Sequence, residues 1–212
     1  REVPADPRGA IGEESCKLAQ EWKDNPTRHK VENMAMINSR DADFGPTYAS
    51  RKFSTLYFTT TRDGMTGGKL DPGLGQNFSD IVETKRDRNG KWSTPVPLAS
   101  PPNTKDNEGA SFVTRKGRNM YYTRCAVTKN LQAKCQLYMA VKRGKQWGDE
   151  KPMPFNVDSF AFGHPTLSLD EKTIVFSSDR PGGFGGKDLW YAVYDRKARA
   201  FGEPTNLGPD IN

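Results

Sequence analysis

Asp43, Glu108 and Asp179 are the carboxylates that could form the acid and base pair of glycoside hydrolysis. Nothing in the sequence places any two of them together, and no Ser/His/Asp order or nucleophile elbow accompanies them. The run PGGFGGKD (181–188) has the glycines and lysine of a phosphate-cradling loop. Pro181 holds the position of the first glycine, however, and Asp188 follows Lys187 where Ser or Thr is needed. A β-run rather than a helix comes next. It reads instead as a glycine-rich connection between strands, as does GMTGGKLDPGLGQN (64–77). His29 and His164 are far apart, and neither has a second ligand at metal spacing. RDADFG (40–45) lacks the glycine position and the distal glutamate of a calcium loop. No metal and no cofactor is expected.

The cysteines are more specific. Cys125 ends the run MYYTRC and Cys135 begins CQLYMAV. If these two runs pair antiparallel, the cysteines face each other at the base of a hairpin, within the Cα separation a disulfide needs. A Cys125–Cys135 bridge is therefore expected, with Cys16 left over. Three reduced thiols in a cytosolic protein is the competing reading.

The elements that position these residues recur. LYFTTT (56–61), MYYTR (120–124) and IVFSS (174–178) form one series; DIVETK (80–85), QLYMAV (136–141) and DLWYAV (188–193) form a second. WSTP (92–95), WGDE (147–150) and FGEP (201–204) form a third, with Trp92, Trp147 and Phe201 spaced 55 and 54 residues apart. A shorter run precedes each set: PTYAS (46–50), ASFVT (110–114) and PTLSL (165–169). Four short strands with a period of 54–55 residues describe a blade, and a blade must stack on neighbours to bury its faces. The expected fold is all-β: a β-propeller of four-stranded antiparallel blades, about three being present, at approximately 43–98, 107–153 and 162–207. PLASPPN (97–103) and NLGPDIN (206–212) match in register, Asn103 against Asn212. Three blades do not close a ring of 4–8. Further blades are expected from the parent chain or another chain. Residues 1–37 read as a connector from a preceding helical-repeat domain. Pro4, Pro7 and Pro26 confine EESCKLAQEW (13–22) to a turn or two of helix.

The 212 residues suffice for one core, and the mean hydropathy of −0.82 with 20 Gly and 15 Pro suits many turns and short strands. The net charge of +6 comes from interspersed charges, 32 basic against 26 acidic, without a basic stripe carrying aromatics. This argues against nucleic acid as a partner. No run approaches the 18 apolar residues of a membrane-spanning helix.

The segment 165–192, with Ser168, Asp170 and Lys172 in its turn and Ser178-Asp179-Arg180 after its strand, resembles the TolB-like propeller repeat. Together with SCKLAQEW (15–22), GQNFSDIVETKRDRNGKWSTPVPL (75–98) and YYTRC…CQLY (121–138), it is similar to the OmpA-family, peptidoglycan-associated proteins of Bacteroidetes type IX secretion. Glu171 departs from that pattern, standing where the turn usually has glycine.

The resemblance implies a non-enzymatic periplasmic scaffold associated with the outer membrane. Its partners would be secretion-system or envelope proteins, and it would reach peptidoglycan only through a domain absent here. The alternatives are a carbohydrate- or peptidoglycan-binding propeller, marked by aromatic platforms exposed on a loop face, and a propeller glycoside hydrolase, marked by two carboxylates at the central channel. In an up-and-down blade the long loops share one face. Arg62, Lys69, Phe78, Lys129, Arg180, Phe184 and Lys187 are the expected partner contacts there.

Overall fold

The computed structural model describes residues 7–68, 70–127 and 133–212. The chain divides into two compact units, Arg1–Met34 and Ala35–Asn212. The first holds helix α1, Pro7–Asp24. Its 18 residues exceed the expected turn or two. Pro7 sits at the helix start, where its missing N–H costs nothing, so only Pro26 acts as a breaker. Lys17 pairs with Glu13 across one turn at 2.7 Å, and the free Cys16 is exposed.

The second unit is three antiparallel sheets, each a meander in chain order. The first contains β1 (Asp43–Tyr48), β2 (Thr55–Thr60), β3 (Asp80–Lys85) and β4 (Val96–Pro97). The second contains β5 (Asn107–Val113), β6 (Asn119–Val127), β7 (Ala133–Arg143) and β8 (Gln146–Pro152). The third contains β9 (Phe162–Leu167), β10 (Thr173–Ser178), β11 (Asp188–Asp195) and β12 (Ala200–Phe201), with β13 (Thr205–Asn206) also on β11. The inner strands β1, β5 and β9 lie side by side, and β5 and β9 also touch the middle strands of the preceding sheet. This is the blade arrangement of a β-propeller. Trp147 and Phe201 lie on outer strands, while Trp92 makes an isolated bridge with Arg86.

The inner strands begin about three residues earlier than the apolar runs suggest. Each carries a register shift, between Phe44 and Thr47, Gly109 and Phe112, and Gly163 and Thr166 in turn. At each shift one residue takes a left-handed conformation: Gly45 (φ 61°), Ala110 (φ 46°) and His164 (φ 56°). The bulge lets pairing resume on its far side, which a period-two pattern does not reveal.

Successive blades are joined by a repeated set of contacts. The bulge amide of one blade donates to a threonine on the middle strand of the preceding blade: Ala110 N–H to Thr59 Oγ1 and His164 N–H to Thr123 Oγ1, both at 3.0 Å. A β-carbon on Gly109 would come within 2.7 Å of Thr59, so glycine permits this close approach. An asparagine on the connection then clasps both backbone groups of one third-strand residue. Asn103 clasps Ile81, Asn156 clasps Leu137 and Asn212 clasps Leu189.

Apolar side chains fill the joints. Tyr57, Ile81, Met120, Tyr122, Ala140 and Trp147 meet between the first two blades. Tyr121, Leu137, Phe155, Ile174, Phe176 and Trp190 meet between the second and third. Glu171 occupies a left-handed turn position (φ 59°), the conformation Gly117 takes in the preceding blade (φ 67°).

Candidate functional site at the start of the inner strands

The three inner strands begin on the face that carries the long loops. A cavity of about 130 Å³ opens there, drawing its walls from all three blades. Phe44 comes from β1, Asn107 from β5 and His164 from β9. Ser79, Thr123, Ser177 and Lys187 complete its polar lining beside the disulfide pair. Phe44 keeps 45 % of its surface exposed and His164 is exposed on its bulge. A left-handed histidine on a cavity wall is a position where backbone strain is held by the surrounding fold. The composition is an apolar ring and small side chains with a few converging polar groups, as in small-ligand sites.

Cys125 and Cys135 are bonded, with Cα atoms 3.9 Å apart, directly opposite in the β6–β7 register. The bridge ties the base of the hairpin that forms one side of the cavity.

None of the candidate carboxylates lines the cavity, and each is held within its own blade. Asp43 is held by Arg62 at 2.7 Å and accepts from the Ser39 amide at 2.6 Å. Burial would raise its carboxyl, but hydrogen bonds from Thr60, Ser39 and Arg62 outweigh this and lower it to about 2. Glu108 stands at the matching place one blade on, fully buried. Arg124 Nε meets it at 2.7 Å, and Thr104 donates to it through both its amide and its hydroxyl. Burial pushes its carboxyl up to about 7 against those interactions. Arg124 is shared with Glu150 and with the Pro101 carbonyl. Asp179 accepts from the Ala161 amide at 2.7 Å.

The glycine-rich loops fold their amides onto their own blade. Phe184 and Gly185 donate to Asp188, and Thr66 donates to Asp80 from its amide and its hydroxyl. The anion these loops cradle is the carboxylate opening the next strand. Among the described residues no cluster of ligands could hold a metal.

Of the residues expected to contact a partner, Lys187 lines the cavity. Phe184 is 61 % exposed on its loop. Arg62 is occupied by Asp43 and the Ile37 carbonyl, Arg180 lies over the Trp190 ring at 5.0 Å, and Phe78 packs against Gly67. Lys69 and Lys129 fall outside the described residues. Sequence reasoning missed Phe44, Asn107 and Ser177, and considered His164 only as a metal ligand. The signal that could have found them was the Phe-Gly, Gly-Ala and Gly-His steps, which mark the same bulge in each repeat.

Fold and site together define a β-propeller with a cavity where its inner strands begin. No protein-family model and no curated protein matches the chain. Among solved structures it is similar to an α-L-arabinofuranosidase from Lactobacillus brevis, with 13 % identity and a TM-score of 0.50. That match covers 82 % of this chain and 55 % of the enzyme. It is also similar to a family 117 glycoside hydrolase from the marine bacterium Zobellia galactanivorans, with 14 % identity and a TM-score of 0.53, covering 87 % of this chain and 61 % of that one. The chain thus spans a little over half the length of these structures.

These findings correct the OmpA-family resemblance and the secretion and outer-membrane role drawn from it. The two similar structures are an arabinofuranosidase and a glycoside hydrolase rather than type IX secretion proteins. The expectation of a non-enzymatic chain is corrected with it, because those propellers are enzymes.

Proposed function

We propose that these blades belong to a glycan-acting propeller of glycoside-hydrolase architecture, with the sugar held at the cavity where β1, β5 and β9 begin. The observation that carries this is the exposed Phe44 ring at a cavity whose other groups are an imidazole, an amide, hydroxyls and an ammonium. A sugar presents an apolar face of C–H groups to a ring and a rim of hydroxyls to polar partners, and this wall offers both. The names of the two fold neighbours, an arabinofuranosidase and a glycoside hydrolase, support the same substrate class.

In this reading Phe44 is the platform, while His164 and Lys187 orient hydroxyls. Cleavage needs a protonated carboxyl and an ionised one. Glu108 and Asp43 are the two that burial and partners set apart in protonation; neither lines the cavity, and each would serve only after leaving its arginine.

The test is a panel of neutral and acidic oligosaccharides, including arabinose-containing ones, scored for binding by calorimetry and for cleavage by release of reducing ends. Binding that falls at least tenfold in both Phe44→Ala and His164→Ala, with folding intact, is the expected result. Loss of cleavage in Glu108→Gln or Asp43→Asn, with binding retained, would assign the carboxyls. Unchanged binding in both cavity variants would refute the site.

A further inference from the structure

We infer that the outer face of the third blade is a preformed joint whose occupant is a further blade of this same repeat, entering in line with the Asn212 clasp. The argument rests on positions that repeat through the three blades. On the face each blade turns to its successor, Tyr57 and Ile81 of the first are 0 % exposed, and Tyr121 and Leu137 of the second are 6 % and 0 % exposed. Their counterparts on the third are Val175 and Leu189. Leu189 is 40 % exposed, and Val193 farther along β11 is 52 % exposed.

The residue before each clasp asparagine follows the same rule. Pro102 and Phe155 are buried, the latter stacked on Phe176 of the following blade at 4.7 Å. Ile211, in the same place before Asn212, is 61 % exposed. An apolar side chain that lies beneath the following blade in both existing joints here stands in the open.

The polar half of the joint is also set. Thr59 and Thr123 each accept the bulge amide of the next blade, and Ser177 holds the third place in that series, opposite Gly163 in the β9–β10 register. Asn212 already clasps Leu189 through both backbone groups, as Asn103 and Asn156 clasp theirs. The occupant is therefore specified chemically: an inner strand with a bulge seven or eight residues beyond the clasp, the spacing from Asn103 to Ala110 and from Asn156 to His164. Its amide meets Ser177, and its apolar second and third strands cover Val175, Leu189, Val193 and Ile211. A second copy of the chain fits this place less well. Its own first blade is preceded by Ile37-Asn38, the counterpart of Ile211-Asn212, and the two segments would compete for one position.

The experiment extends the chain after Asn212 with its own residues 104–156, reproducing the Asn103–Thr104 joint. A second version uses residues 157–212, in case the first added blade does not fold. In a Cys16→Ser background, Val193→Cys reports the joint and Leu169→Cys, in a turn at 91 % exposure, serves as the control. At least one extension is expected to slow thiol labelling at position 193 tenfold or more while leaving position 169 unchanged. If position 193 labels at the unextended rate in both versions, the face is not a blade joint. If instead the unextended chain sediments as a dimer with position 193 already protected, a second copy is the occupant and the inference is overturned.

Discussion

At the scale of single residues, one arginine ties together the strands of the second blade. Arg124 reaches Glu108, both oxygens of Glu150 and the Pro101 carbonyl, and its guanidinium lies over the Tyr138 ring at 4.6 Å. The Tyr122 hydroxyl also donates to Glu150. A charge pair this deeply buried gains little net stability but is costly to break from one side. Glu108 therefore makes stability depend on pH in a defined window. Its carboxyl is raised from an ordinary 4.5 to about 7. Between those values the native state keeps a proton that the unfolded chain has released. The contribution is fully present below about 4.5 and is lost as pH rises through about 7. Glu108→Gln should flatten urea-unfolding stability across this window by an amount on the order of 3 kcal/mol. Asp43, lowered to about 2, acts in the opposite direction and only below its ordinary 3.8, so the two do not overlap. An identical pH slope in wild type and Glu108→Gln would show that this carboxyl is already ionised in the native state.

At the scale of elements, the clasps explain how short strands hold together with so little hydrophobic mass. Each third strand turns one backbone pair toward the outer edge, where an amide of the outer segment (Leu98, Met153 or Leu207) meets the carbonyl and the asparagine supplies the acceptor for the N–H. The asparagine side chain brings one donor and one acceptor to that pair. Asn103 is 1 % exposed and also donates to the Leu98 carbonyl. Asn103→Ala should thus leave the buried Ile81 N–H unpaired, while the Ile81 carbonyl keeps the Leu98 amide, and cost about 1–3 kcal/mol. Asn212→Ala, where water reaches the same groups, should cost under about 1 kcal/mol. Equal losses in chemical denaturation would mean that the clasp stabilises through packing rather than through satisfied backbone groups. The inner-strand bulges act at the same scale. They turn Gly45, Ala110 and His164 into the left-handed region, which brings the Ala110 and His164 amides to threonines of the preceding blade and exposes the His164 side chain.

At the scale of the molecule, stability should be graded from blade to blade. The middle blade is covered on both faces, whereas the third has its outer face exposed. Stacked repeats gain much of their stability from nearest-neighbour contacts, and local opening follows buried apolar contact. Native-state hydrogen exchange should accordingly be slowest in β6 and β7 and faster in β10 and β11. A third blade that exchanges as slowly as the second would mean its exposed face contributes nothing to local opening, and would also weaken the case for an incomplete joint.

The periodic features were legible in the amino-acid sequence. Strand order, the 54–55-residue repeat, the opposition of Cys125 and Cys135 and the match of Asn103 with Asn212 all follow from local alternation and spacing, because each blade is built from one stretch of chain. The helix is longer than its prolines suggest, because Pro7 stands at the helix start, where a proline is tolerated. The site belongs to no single stretch: Phe44, Asn107 and His164 lie 63 and 57 residues apart and meet only when the inner strands align. The fate of the charged candidates was equally a tertiary matter. Sequence shows Asp43, Glu108 and Arg62 as available, and only the pairing of first and second strands within each blade determines that Arg62 is taken by Asp43 and Arg124 by Glu108. Local periodicity determined the blades, since a strand's alternation is written in its own residues. Three-dimensional stacking decided the cavity and the open joint, since each is made from groups that only neighbouring blades bring together.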